Sequence, residues 1–270
     1  MSKKNNQPIG IFDSGVGGLT VAHAINKVLP NESLIYFGDT AHLPYGDKSP
    51  DSLKYYSIRI SQFLLEKKCK TIVIACNTAS SVAFNTVKDF VGNKAIVLNV
   101  IDPVVEQVAS IKNIQKVGVI GTKGTVKSDI YSKKIRERNS ALEVASVATP
   151  LLVPMIEEGF FNNKISRTVI DSYLSRPKLK KINLLILACT HYPLIRKEIE
   201  EIYQNKITVF DSAEVVAQYL KKTLSKKNLL ATSKNSKHRF YVSDFTEGFE
   251  KTTSLFFGSR IHLEEADIWK

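Results

Sequence analysis

Apolar and polar positions along the chain repeat in one order: a short apolar run, a polar or glycine-rich loop, then a stretch with helical spacing. Residues 8–12 predict a first strand. The loop Asp13-Ser14-Gly15-Val16-Gly17-Gly18 follows, and then a helix through Leu29. Residues 33–37 predict a second strand, and a polar loop at 38–50 leads into a helix over 51–67. The β-branched run at 70–75 reads as a buried strand. It ends at Cys76-Asn77-Thr78, where another helix begins, and residues 95–100 close this half. The second half predicts a helix at 104–110, a strand at 116–120, a turn at 121–125 and a basic helix to residue 139. A strand at 143–147, an irregular segment at 151–161 and a helix at 165–174 come next. The strand at 183–188 ends at Cys189-Thr190-His191, with Pro193 suited to opening a helix, and residues 207–210 form the last strand of this half. The tail predicts a helix at 211–224, a lysine- and serine-rich connector, a short strand at 240–242, a helix at 245–257 and a strand near 261–263.

Strands alternating with helices predict an α/β protein with mostly parallel sheets and helices on both faces. The two halves also echo each other. Ile72-Val73-Ile74-Ala75-Cys76-Asn77-Thr78 matches Leu185-Ile186-Leu187-Ala188-Cys189-Thr190-His191, and Ile9-Gly10-Ile11-Phe12-Asp13-Ser14 matches Val117-Gly118-Val119-Ile120-Gly121-Thr122. The expectation is two similar doubly wound domains related by a pseudo-twofold axis. The first would comprise 1–101 and 211–270, the tail packing back; the second would comprise 102–210. Reactive groups in such folds sit at the carboxyl ends of the strands. Both cysteine tripeptides lie there, so the site is expected in the cleft between the domains.

Composition narrows the chemistry. With 270 residues, 43% of them hydrophobic, the chain can bury one or two sizeable cores. It has no apolar run long enough to span a membrane, and the polar segment 1–8 lacks a signal-peptide core; a cytoplasmic protein is expected. The net charge of +12 raises the question of nucleic acid. The lysines are dispersed, however, with local densities only at 221–227 and 234–239, and no nucleic-acid-binding signature is present. Solvated helix faces account for them, and an anionic small substrate gains from the field. Three cysteines without a C-x-x-C pair or zinc spacing argue against disulfides, a metal site or dithiol redox chemistry.

Two near-equivalent cysteines facing each other across a cleft have a specific use. Inverting a carbon centre requires one group to take a proton from one face while another returns a proton to the opposite face. A thiol with an ordinary pKa of about 8.5 needs only a modest downward shift to serve. Cys69, at the end of a helix face, reads instead as inert packing. The glycine loop after Asp13 would hold a phosphate or a carboxylate at a helix N-terminus, but it lacks a complete nucleotide fingerprint. Asn77, Thr78, Thr122, Thr125 and Thr190 read as helix caps or as ligands. His191 either tunes the Cys189 thiol or packs in a loop. Tyr45-Gly46 alone is a turn. Glu157 and Glu158 are solvated, or one of them holds an ammonium group or orients a histidine.

Taken together, these motifs resemble those of the glutamate racemases, within the aspartate/glutamate racemase family. The resemblance runs over most of the chain and is carried by Phe12-Asp13-Ser14-Gly15-Val16-Gly17-Gly18-Leu19-Thr20-Val21, Tyr36-Phe37-Gly38-Asp39-Thr40, Leu43-Pro44-Tyr45-Gly46, Ala75-Cys76-Asn77-Thr78-Ala79-Ser80, Ala188-Cys189-Thr190-His191-Tyr192-Pro193 and Phe240-Tyr241-Val242-Ser243-Asp244. It implies an isomerase that converts L-glutamate to D-glutamate for peptidoglycan, with neither pyridoxal phosphate nor a metal as cofactor. It implies that Cys76 and Cys189 are the acid/base pair, assisted by Asp13 and His191. It also implies that Asp13, Ser14, Tyr45, Gly46, Asn77, Thr78, Thr190 and His191 bind substrate. An accessory glutamate falls at Glu157 or Glu158, with Glu157 preferred. The expected partner is a small molecule, glutamate, with neither membrane nor nucleic acid; a homodimer is left open. A relative acting on aspartate is the nearest rival reading.

Overall fold

The computed structural model describes residues 4–233 and 236–270. Residues 1–3 and 234–235, which open the N-terminal segment and the basic run at 234–239, lie outside it. In chain order the elements are β1 (Ile9–Asp13), α1 (Leu19–Val28), β2 (Leu34–Gly38), α2 (Pro50–Glu66), β3 (Thr71–Ile74), α3 (Asn77–Val91), β4 (Ile96–Asn99), α4 (Ile101–Ala109), β5 (Lys116–Gly121), α5 (Lys123–Ser128), α6 (Ile130–Arg138), β6 (Glu143–Ala148), α7 (Leu152–Glu157), α8 (Lys164–Leu174), β7 (Leu184–Ala188), α9 (Arg196–Ile202), β8 (Thr208–Asp211), α10 (Ser212–Lys226), β9 (Arg239–Val242), α11 (Glu247–Phe257) and β10 (Leu263–Glu265).

Two sheets form, and every strand pairing in them is parallel. One has the order β10-β9-β2-β1-β3-β4, the other β6-β5-β7-β8. Without β9 and β10, both read second-first-third-fourth in order of appearance, so the echo in sequence is an echo in topology. Strands β1, β2, β3 and β7 are buried along their whole length. That is why they are continuous apolar runs rather than alternating ones: helices cover both faces of the sheet. The tail returns to the first sheet through the pairing of β9 with β2, and β10 extends it.

In both sheets the chain leaves the first strand to one side for the second strand and to the other side for the third. The crevice at the carboxyl ends of β1 and β3, and of β5 and β7, is therefore a topological switch point, where open α/β sheets bind ligands. Asp13, Ser14 and Cys76 occupy one of these crevices; Thr122 and Cys189 occupy the other.

Some local expectations are corrected. The segment expected to be irregular contains α7, closed by Gly159 at φ 75°; its apolar positions Leu152, Met155 and Ile156 have helical spacing and are buried. The basic helix is two helices, because Asp129 adopts a left-handed conformation, φ 53°, between α5 and α6. Pro193 opens a 3-10 turn, Tyr192–Ile195, ahead of α9.

Away from the cleft, a buried ion pair ties the tail to the first sheet. Lys70 Nζ lies 2.6 Å from Glu32 Oε2 and also donates to the carbonyls of Asn5 and Leu229, while Glu32 Oε1 accepts from the Ala231 N–H.

Candidate active site

Cys76 follows β3 and stands at the N-cap of α3, its Sγ accepting from the Ala79 N–H at 3.5 Å. A helix N-terminus favours a thiolate, but burial opposes it and dominates. Burial first, then the charge of Asp13, push the Cys76 thiol up to about 12; the Ala79 N–H works against them, the charge of Cys189 adds to them, and a hydrogen bond with Ser14 partly offsets them. At neutral pH Cys76 is therefore a protonated acid. Asp13 lies behind it, fully buried at the end of β1. Its Oδ2 accepts from the Gly18 and Gly15 N–H groups at 2.9 and 3.3 Å, and its Oδ1 has no hydrogen-bond partner. Burial also raises the pKa of the Asp13 carboxyl, which His191 and the loop N–H groups only partly counter.

Opposite, Cys189 follows β7, with its Sγ 3.8 Å from His191 Nδ1. His191 Nε2 in turn lies 2.9 Å from Glu157 Oε1. Burial alone would lower the pKa of His191. The sulfur of Cys189 and the Glu157 carboxylate outweigh it and raise the imidazole to about 10, so it is a cation at neutral pH. A positive charge thus stands beside the Cys189 sulfur, held by a carboxylate on α7. The glycine loop serves this side too: a Cβ on Gly17 would fall 2.4 Å from the His191 ring. Its glycines admit the imidazole and donate to Asp13, so the loop needs no phosphate to explain it.

Both sulfurs line one cavity of about 290 Å³. That is near the small end of the usual ligand-pocket range of about 300–1,000 Å³. The loop between β2 and α2 closes one wall. There Tyr45 donates its hydroxyl to the buried carboxylate of Asp39 at 2.7 Å, so the hydroxyl is already engaged, and the Tyr45 and Gly46 N–H groups are the candidate donors at this wall. They open a 3-10 turn, where N–H groups lack intrahelical partners. Asn77 accepts from the Tyr131 hydroxyl through Oδ1 at 2.7 Å, which leaves its buried Nδ2 without a partner at the cavity wall. Thr78 Oγ1 meets Thr122 Oγ1 at 2.8 Å, joining the two halves; Thr122 also caps α5.

Ser14, Tyr45, Gly46, Cys76, Asn77, Thr78, Cys189, Thr190 and His191, each singled out by sequence, all line this cavity, and Asp13 lies directly behind it. Glu157 lines it as well, whereas Glu158 borders an outer patch with Leu151 and Phe160. Cys69 packs against Leu64 and Gly10, outside the cleft. Sequence reasoning missed Thr149 at the end of β6, whose hydroxyl meets Tyr192 Oη at 2.6 Å; the strand-end rule that found the cysteines applies to it equally. It also missed Asp39 and Tyr131, which act on the cavity wall from behind. Among the described residues no group of His, Cys, Asp and Glu side chains is placed to hold a metal. No helix among them is long and apolar enough to cross a membrane.

Residues 17–220 match the Asp/Glu/Hydantoin racemase family. A glutamate racemase of Chlorobaculum parvum is 44% identical over 94% of this chain and 93% of its own length. The chain belongs to this racemase family. It is accordingly an isomerase. Solved relatives agree with the fold. The glutamate racemase of Francisella tularensis, in complex with D-glutamate, superposes with a TM-score of 0.91 at 38% identity, covering 98% of this chain and 99% of that one. The Thermus thermophilus glutamate racemase, in complex with beta-chloro-D-alanine, does so at 0.87 and 34%, covering 98% of each.

Proposed function

We propose that this racemase interconverts L- and D-glutamate by a two-cysteine mechanism. The observation that carries the reading is the placement of Cys76 and Cys189 at equivalent strand ends of two like sheets, lining one small cavity. In one direction a thiolate at Cys189, facing the His191 cation, takes the Cα proton, and the Cys76 thiol delivers its proton to the opposite face. Cys189 is left as a thiol and Cys76 as a thiolate. The reverse reaction starts from that state. Asp13 beside Cys76 and His191 beside Cys189 reset the protons between turnovers. The N–H groups of Tyr45 and Gly46, the Asn77 amide and the hydroxyls of Ser14, Thr78 and Thr190 bind the carboxylates and orient Cα. Such positioning matters because a well-placed acid or base contributes only about 10²–10⁴-fold. The remaining acceleration comes from geometry and from preorganised charge.

The similarity of the whole chain to glutamate racemases supports glutamate as the substrate and supports a use of the product, D-glutamate, in peptidoglycan assembly. We further propose that the lobes 1–101 with 211–270, and 102–210, are the two domains that enclose the substrate. The test is incubation with L-glutamate in D₂O, followed by NMR and polarimetry together. Loss of the Cα–H signal with decay of rotation to zero is expected. If neither changes with glutamate while both change with aspartate, the substrate assignment fails and the mechanism stands.

A further inference from the structure

The wall that presents Tyr45 and Gly46 is held from outside by a segment far away in sequence. After β10 the chain bonds back to the sheet through Ala266 N–H and the Val242 carbonyl. It then crosses α2, where the Arg59 guanidinium donates to the Ile268 carbonyl. This crossing delivers Trp269, the single tryptophan of the chain, edge-on to His42, with ring centroids 4.5 Å apart and planes at 82°. The other face of the contact is Tyr56, which stacks on His42 at 4.1 Å and meets Trp269 at 5.4 Å. Trp269 Nε1 makes no hydrogen bond among the described residues, so packing holds the ring.

His42 passes this contact inward. Its Nδ1 lies 2.9 and 3.0 Å from the two oxygens of Asp39. Asp39 is fully buried and also receives the hydroxyls of Tyr45 at 2.7 Å and Ser243 at 2.8 Å. One carboxylate thus gathers the loop on both sides of residues 43 and 44 and the end of β9, and its histidine is clamped between Tyr56 and Trp269. A buried carboxylate needs all its donors in place. Loosening His42 loosens Tyr45 and, with it, the backbone of Tyr45 and Gly46 at the cavity wall.

We propose that Trp269 is a positioning residue for substrate binding: the segment 266–269 latches His42, and through Asp39 it holds the substrate loop 43–46 against the cleft. Only the kinetic arm of its test rests on the glutamate reading. The first arm is hydrogen–deuterium exchange in the wild-type chain and in Trp269→Ala and Trp269→Phe, with melting temperatures measured alongside. In Trp269→Ala, the hydrogen-bonded amides of Ala41, His42, Asp47 and Lys48, which flank the loop, are expected to exchange about tenfold faster, the scale of losing one or two aromatic contacts. The amides of β1 and β3 should keep their rates, and Trp269→Phe, which keeps a ring on His42, should stay near wild type. Unchanged exchange at Ala41, His42, Asp47 and Lys48 in Trp269→Ala would overturn the latch, as would a uniform rise across the sheet.

The second arm is steady-state kinetics with L- and D-glutamate. Trp269→Ala is expected to raise KM about tenfold for both enantiomers and to leave kcat within about twofold, with Trp269→Phe restoring KM. A fall in kcat at constant KM would overturn the positioning role. Should the wild-type enzyme turn over no glutamate, the functional reading falls while the exchange arm still decides the latch.

Discussion

Glu157→Gln probes the charge arrangement around Cys189 with the least disturbance of shape. It keeps a hydrogen-bonding group 2.9 Å from His191 Nε2 but removes the negative charge. A hydrogen bond between charged partners is worth about 1.5–3 kcal/mol. The Glu157 side chain is 34% exposed, so solvent screening places this pair near the lower figure. At about 1.4 kcal/mol per pKa unit, His191 should fall from about 10 in the wild type by about one unit. The sign follows from which state holds the proton. The folded protein holds it more tightly than the unfolded chain, whose imidazole titrates near 6.5. The stability this confers is complete below pH 6.5 and is lost as pH rises through about 10. Glu157→Gln removes part of it, so the stability gap between wild type and variant should be full near neutral pH, narrow in acid as the carboxylate itself is protonated, and vanish above pH 10. The alkaline limb of kcat/KM should move about one unit toward acid. The assays are a pH–rate profile, an NMR titration of the His191 ring protons and urea unfolding at several pH values. An unmoved alkaline limb, or one displaced to higher pH, would refute the assignment of His191 as the cation beside Cys189.

Cys76→Ser and Cys189→Ser should each lower racemisation by at least about 10²–10⁴-fold with unchanged circular dichroism; full activity in either would end the two-base mechanism. Cys69→Ser should keep its activity but lose about 1–3 kcal/mol in urea unfolding, because it buries a hydroxyl among Leu64 and Gly10. Tyr131→Phe removes the hydroxyl that fixes the Asn77 amide and should raise KM about fivefold, the worth of one ordinary hydrogen bond, with kcat little changed. Lys70→Met strands the buried Glu32 carboxylate and should cost about 3–5 kcal/mol, read as a lower urea midpoint; a loss below about 1 kcal/mol would show that the pair contributes little.

The first-order features of the site were legible because they are local. A strand that ends in Cys-Asn-Thr or Cys-Thr-His announces its position at the carboxyl edge of a sheet, and the parallel topology does the rest. Continuous apolar runs such as Leu185-Ile186-Leu187 marked strands buried on both faces, while the pairing register became known only from the structure. What escaped was what depends on contacts between distant segments. The short helix α7 was hidden because Pro154 sits inside it, and only its packing against α8 and the turn Tyr192–Ile195 makes Leu152, Met155 and Ile156 a single buried face. Asp129 gave no sign that it would enter the left-handed region and divide a basic helix. Choosing Glu157 over Glu158 required knowing which face of α7 meets His191. Tyr131 acts through Asn77, 54 positions away in sequence, and the donor that ties Asp39 to the end of β9, Ser243, is 204 positions away, separations that no local pattern encodes.

The two halves present like sulfurs in unlike surroundings: Cys76 with a helix N-terminus and the carboxyl of Asp13, Cys189 with the cation of His191 and Glu157 behind it. For a racemase this asymmetry is bounded by thermodynamics. The two enantiomers have equal free energies in water, so the equilibrium constant is unity and kcat/KM must be equal in the two directions. No substitution escapes that equality, including one on the Cys189 side alone. Uneven support of the cysteines can therefore appear only in how each direction divides its kcat/KM between kcat and KM. In the proposed two-cysteine mechanism, a protonated Cys76 and a cation facing Cys189 favour substrates whose Cα–H points at Cys189. The enantiomer presenting its proton to Cys76 must meet the other protonation state, and waiting for that state lowers its apparent affinity by the fraction of enzyme that holds it. Glu157→Gln weakens the bias toward the resting state, so the KM values of L- and D-glutamate should move closer together while the two kcat/KM values fall by the same factor. Divergence of the two kcat/KM values would mean that the assay is not measuring a racemisation, whichever residues are assigned to it.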